Sequence, residues 1–105
     1  MNAAKIAALN DAVRTTLTGC RVVITQGIAA LDDLDAIYAK VRAFNNFNER
    51  NDPYGEHDFG SFQHDGQTMF WKFDYYDADL LMHSPDPSES SVTCRVITIM
   101  LADEY

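Results

Sequence analysis

An Asp-Gly pair at positions 65 and 66 stands between two runs in which apolar and polar residues alternate. Both central residues of a type I′ turn need positive φ, which aspartate and glycine reach more readily than most residues, so the pair predicts a tight two-residue β-hairpin. A loop of that length fixes the register: His64 faces Gln67, Phe62 faces Met69, and Gly60 faces Trp71. The two-residue period then puts Phe62, Met69, Trp71, Phe73 and Tyr75 on one face, and Lys72, Asp74 and Tyr76 on the other. Glycine at position 60 leaves room for the Trp71 indole to lie across the partner strand.

The rest of the chain falls into helices and strands around that hairpin. Residues 2–17 carry Ile6, Leu9, Val13 and Leu17 at spacings of three and four, with alanines between them. Asn2 is placed as the N-cap of this helix and Gly19 as its stop. Residues 21–25 predict a short β-branched strand ended by Gly27. A second helix begins near Asp32 or Asp33, with Leu34, Ile37, Tyr38, Val41 and Phe44 as its apolar stripe. Residues 45–58 lose the helical period, and Asn51-Asp52-Pro53-Tyr54-Gly55 reads as a turn. Residues 77–91 form a loop whose Ser84-Pro85-Asp86-Pro87 excludes a central strand. Residues 92–101 place apolar groups on both faces, as a central strand requires. The expectation is a single α+β domain over residues 1–105, a four-stranded, mostly antiparallel sheet with two helices packed on one face.

Composition narrows the function classes. The chain has 105 residues, enough for one modest core, and no apolar run approaches the roughly 18 residues of a membrane span. The N-terminus lacks the pattern of a secretory signal, and Cys20 and Cys94 read as free thiols of a reducing, cytoplasmic compartment. The net charge is −8, and residues 49–89 supply all of it, with ten acidic against two basic side chains. Such a surface repels nucleic acid and anionic membrane and attracts basic proteins.

Two constellations carry candidate chemistry. Glu56-His57-Asp58 puts three titratable groups in a row, the makings of an acid–base or metal site. Neighbours in an extended segment alternate sides, however, and no metal-ligand spacing such as Cys-x-x-Cys accompanies them, so a backbone-bonded loop histidine is the plainer reading. No cofactor-binding or phosphate-cradling pattern and no activated nucleophile is present. The second constellation is Asp74-Tyr75-Tyr76-Asp77-Ala78-Asp79. Carboxylates about 7 Å apart along a strand approximate the phosphate spacing of one nucleic-acid strand, with tyrosines beside them as anchors. A solvated polar strand face is the ordinary alternative.

Nearly the whole chain also resembles a family of small uncharacterised proteobacterial proteins. The resemblance rests on Leu9-Asn10-Asp11, Thr18-Gly19, the 51–60 run ending Glu56-His57-Asp58-Phe59-Gly60, residues 71–77, Ser84-Pro85-Asp86-Pro87, and residues 95–102. The chain looks like those members that act as anti-CRISPR proteins of the type I-C class. That resemblance implies a non-enzymatic protein that binds a Cas protein of the type I surveillance complex (Cascade) and blocks target DNA. The chain is further expected to be a monomer of the bacterial host cytoplasm and, with Asp74, Asp77 and Asp79 where a reader would show lysine or arginine, not to bind nucleic acid itself. The expected partner-binding residues are Glu56, Asp58, Asp74 and Tyr76, together with Asp77, Asp79, Asp86 and Glu89. A small enzyme centred on Glu56-His57-Asp58, and an interaction domain unrelated to CRISPR, are the alternatives.

Overall fold

The computed structural model describes residues 2–105. Helix α1 (Ala3–Arg14) is capped by Asn2, whose side-chain oxygen accepts from the Lys5 N–H at 3.0 Å. It ends at Arg14, short of the Leu17 that periodicity predicts. The Thr15 and Thr16 hydroxyls donate back to the carbonyls of Asp11 and Ala12, at 2.8 and 3.2 Å, and Leu17 itself takes a left-handed φ of 53°. Leu17, ahead of Gly19, therefore turns the chain out of the helix. The left-handed region costs a non-glycine residue about 1 kcal/mol, which packing of the Leu17 side chain against the core offsets.

Strand β1 (Arg21–Ile24) is followed at once by a short helix, α2 (Gln26–Ala29), so Gly27 lies inside a helix rather than ending the strand. A Cβ at Gly27 would stand 2.6 Å from both a Glu104 carboxylate oxygen and the Leu101 side chain. The glycine is there to let the C-terminal turn approach. Helix α3 (Leu34–Ala43) buries Ile37 and Val41 with Leu34, Tyr38 and Phe44 packed alongside, which is the expected stripe.

The hairpin has the predicted form. Strands β2 (Phe59–His64) and β3 (Gln67–Tyr76) pair antiparallel with His64 opposite Gln67, Phe62 opposite Met69 and Gly60 opposite Trp71. Asp65 and Gly66 both have positive φ, 53° and 79°. Strand β4 (Cys94–Leu101) starts later than the predicted residue 92, because Val92 is taken into a 3-10 turn, Ser90–Val92, capped by Glu89. The sheet order is β1-β4-β3-β2, with β4 parallel to β1 and antiparallel to β3. That central place explains the apolar groups on both faces of β4.

One face of the sheet holds the core. Met69, Trp71, Phe73 and Tyr75 of β3 and Ile97 and Ile99 of β4 cluster with Ile6 of α1, Ile28 of α2 and Ile37 and Val41 of α3. Trp71 is wholly buried, its ring edge-on to Phe44 and Phe73 at 5.4 and 5.9 Å. The opposite face carries Phe59, Phe70 and Tyr105, whose rings meet at 5.1 to 6.2 Å. Beside them Lys72, Asp74, Tyr76, Thr98 and Met100 floor a shallow groove of about 540 Å³, walled by Thr25, Glu104 and Tyr105.

Gly60 tests this packing. A Cβ there would lie 2.3 Å from Trp71 Nε1, and the indole, enclosed on every side, has nowhere to retreat. We expect Gly60→Ala to destabilise the protein by about 3 kcal/mol or more, read from denaturant unfolding followed by tryptophan fluorescence. Wild-type stability in that variant would show that the strands do not press together here.

Candidate functional site

The interior holds a polar network reaching across the chain. Spacing of four along α1 puts Ile6, Asn10 and Arg14 on its buried side. Asn10 is fully buried, donating from Nδ2 to the Tyr75 hydroxyl (2.8 Å) and to the Glu56 carbonyl (3.0 Å). Its Oδ1 accepts from Arg95 Nε at 2.7 Å. Arg95 also donates from Nη2 to the Pro87 carbonyl and lies over the Tyr75 ring, 5.3 Å from its centre. No carboxylate pairs with Arg95 among the described residues. Burial holds this guanidinium below its ordinary pKa, against the opposing pull of Tyr75, and pushes the Tyr75 hydroxyl up to about 12.

A second cluster surrounds His57. The residue has a left-handed φ of 54°, and its ring stacks on Phe47 with centroids 3.8 Å apart and planes 2° from parallel. Nδ1 faces both Asp11 carboxylate oxygens, at 3.0 and 2.9 Å, while Nε2 stands 3.6 Å from Asp52. Asp52 also accepts the backbone N–H groups of Glu56 and His57, at 3.0 and 3.1 Å. Arg14 completes the cluster: it donates to the Val41 carbonyl (2.8 Å) and to Asp11 (3.2 Å), with its guanidinium over the Phe47 and Trp71 rings. The partners of His57 are thus Asp11 and Asp52, from α1 and the preceding turn, and not its chain neighbours Glu56 and Asp58. A carboxylate stands at each nitrogen of the ring, Asp11 at 2.9 Å and Asp52 at 3.6 Å.

Glu56 and Asp58 stand together instead. Burial raises the carboxyl pKa of both, most of all through lost hydration, and the nearby charges of Asp52 and of each other's neighbourhood add to it: Asp58 acts on Glu56, and Asp74 on Asp58. The remaining expected residues lie elsewhere. Asp74 pairs with Lys72 on the groove floor, and Tyr76, 37% exposed, lines the same groove. Asp77 accepts the N–H groups of Leu81 and Met82 at 3.0 and 3.4 Å. Asp86 accepts from the Ser88 N–H and hydroxyl at 3.0 and 2.6 Å, the hydroxyl bond first among the causes that lower its pKa. Glu89 accepts from the Ser91 N–H and hydroxyl. Asp79 is exposed. Of these seven carboxylates and one tyrosine, Asp74 and Tyr76 share the groove, Glu56 and Asp58 sit by the His57 cluster with Asp74 near enough to act on Asp58, and Asp77, Asp86 and Glu89 cap the β3–β4 connection.

The network residues Asn10, Asp11, Arg14, Asp52 and Arg95 were not among the expected ones. Their signal in the sequence is a polar residue at the centre of an apolar helical stripe, Asn10 between Ile6 and Val13. Leu81 and Met82 were missed as well; they are 81% and 71% exposed, an apolar pair inside an acidic loop.

Residues 24–104 match a family model described as a protein of unknown function (DUF3768). The chain belongs to the DUF3768 family. A search of curated proteins and a search of solved structures each gave no match. The segment shared with DUF3768 runs from the end of β1 to the C-terminal turn and contains His57, Tyr75, Arg95 and the β3–β4 connection; α1 precedes it. Among the described residues, no three His, Cys, Asp or Glu side chains are grouped to hold a metal ion, and no helix is long and apolar enough to cross a membrane.

Two measurements test the arrangement. Asn10→Ala leaves Arg95 Nε and the Tyr75 hydroxyl short of a buried partner, so we expect a loss of about 3 kcal/mol in denaturant unfolding. The Asp58 carboxyl is raised in the fold, so the folded chain takes up a proton more readily than the unfolded one. Its charged form opposes folding above the raised pKa, and that opposition fades as pH falls through it. Asp58→Asn should therefore raise the melting temperature at about pH 7 and change it little at about pH 4. An equal shift at both pH values would remove ionisation as the cause.

Proposed function

We propose that this DUF3768 protein is a non-enzymatic inhibitor that docks on the positively charged DNA-binding surface of a Cas protein in a type I-C surveillance complex and so blocks target DNA. The reading begins from the sequence resemblance to anti-CRISPR proteins and is supported by one structural observation, the placement of the basic residues. Of eight lysines and arginines, Arg14 and Arg95 are buried at 2% and 4% exposure, whereas of sixteen acidic residues only Asp52 is. Six basic side chains at the surface are left against fifteen acidic ones. The imbalance is greatest between Lys72 and Arg95, where five acidic residues and no lysine or arginine occur. A surface of this kind attracts a basic partner at long range, speeds encounter, and loses that advantage in salt.

Because Asp77, Asp86 and Glu89 hold the loop together, a charge test belongs on Asp74 and Asp79. Binding of the purified protein to type I-C Cascade is expected to slow in association by about tenfold between roughly 50 and 300 mM salt. The Asp74→Asn, Asp79→Asn variant should associate more slowly at low salt, with dissociation little changed. Salt-independent association, or a variant as fast as wild type, rules out electrostatic docking on a DNA-binding surface.

A further inference from the structure

The connection between β3 and β4 opens with a loop that turns its apolar residues outward. Leu81 and Met82 are 81% and 71% exposed, while Leu80 takes a left-handed φ of 60° at the turn. Exposed apolar side chains scattered singly are ordinary, but two adjacent ones on the returning limb of an ordered loop are not. This loop is held by its own backbone: the Asp77 N–H donates to the Met82 carbonyl (2.8 Å) and the Leu80 N–H to the Asp77 carbonyl (3.0 Å). At the base Tyr76 pairs with His83, and the Ser84 N–H donates to the Tyr75 carbonyl at 3.1 Å. The pair is therefore set in place before any partner arrives, so ordering it on binding costs little.

We propose that Leu81 and Met82 are the apolar anchor of this protein, seated in complex by an apolar pocket of the partner protein whose rim carries lysine and arginine. The inference rests on the inhibitor reading above and deepens it. Charge complementarity selects the partner: Asp77 and Asp79 precede the pair, His83 follows it, and no lysine or arginine occurs from Phe73 to Cys94 to offset the carboxylates. An anionic lipid surface is repelled by the same charges. Interfaces concentrate their energy in a few desolvated apolar side chains ringed by polar ones, and this loop has that composition.

The test uses the intact protein and purified type I-C Cascade. Leu81→Ser with Met82→Ser, both far from the core, should leave the melting temperature unchanged and weaken binding by about tenfold or more, through faster dissociation. The salt dependence of association should stay as in wild type, since no charge is altered. Val23→Ser, at an apolar site 45% exposed on β1, should leave affinity unchanged. Wild-type affinity in the double variant overturns the anchor and leaves the inhibitor reading standing; failure of the wild-type protein to bind overturns both. The single variants repeat the test with less change of surface. Flotation with neutral phosphatidylcholine vesicles is the last arm, and wild-type binding there that the double variant loses would make the pair a lipid-inserting tip instead.

Discussion

The Arg95 guanidinium is buried without a carboxylate, and much of the molecule is arranged to make that tolerable. A charged group taken out of water costs several kcal/mol unless its donors find acceptors. Here the acceptors are Asn10 Oδ1 from the first helix and the Pro87 carbonyl from the loop before β4, while the Tyr75 ring covers the cation from β3. Asn10 then spends its two remaining donor positions on Tyr75 and on the carbonyl of Glu56. One arginine thus ties the helix, two central strands and both long loops to one point. Because this packing satisfies all of those groups at once, the network favours it over arrangements that leave any of them unpaired.

The His57 cluster extends the same logic to the hairpin's approach. A stacked imidazole between Asp11 and Asp52 fixes the segment that leads into β2, and Arg14 joins that cluster to the Trp71 ring. Left-handed φ at a non-glycine residue is the local cost, on the order of 1 kcal/mol. Glu56 and Asp58 are then forced into partial burial beside Asp52, which raises their carboxyl pKa values. Perturbed acids of this kind often mark a working site, and here the causes are burial first and then the neighbouring carboxylates, Asp52 for both and Asp74 for Asp58.

What was legible in the sequence was local. The hairpin register, the α3 stripe and the central place of β4 depend on residues within a few positions of one another, and the structure has all three. The stop of α1 was misplaced because threonine back-bonding and a leucine in the left-handed region outweighed the glycine signal. Helix α2 was missed because Gly27 serves an approach by Glu104, a residue 77 positions away. Asp11, which holds His57, and Asn10, which holds Arg95, lie 46 and 85 residues off, beyond any pattern of spacing. Acidic residues posed a different difficulty. Aspartate and glutamate both cap turns and charge surfaces, and composition does not separate Asp77 and Asp86, which cap, from Asp79, which does not.

The buried network and the outward loop are two ends of one construction. Arg95 reaches the Pro87 carbonyl, and the Ser84 N–H reaches Tyr75, so the base of the 77–93 connection is fastened to the residues that carry the interior network. A connection fastened in this way need not collapse its apolar side chains onto the sheet to become ordered, since the hydrogen bonds of its base and of Asp77 already fix it. Leu81 and Met82 are therefore free to face outward at little conformational cost. Arg95, which fastens the loop, is withdrawn from the surface by doing so, and no other lysine or arginine lies between Lys72 and Arg95 to compensate the loop's carboxylates. One internal cation thus helps order the β3–β4 connection while adding no positive charge to its surface, and under the proposed docking a partner's lysines and arginines would supply the counter-charge that the molecule has turned inward.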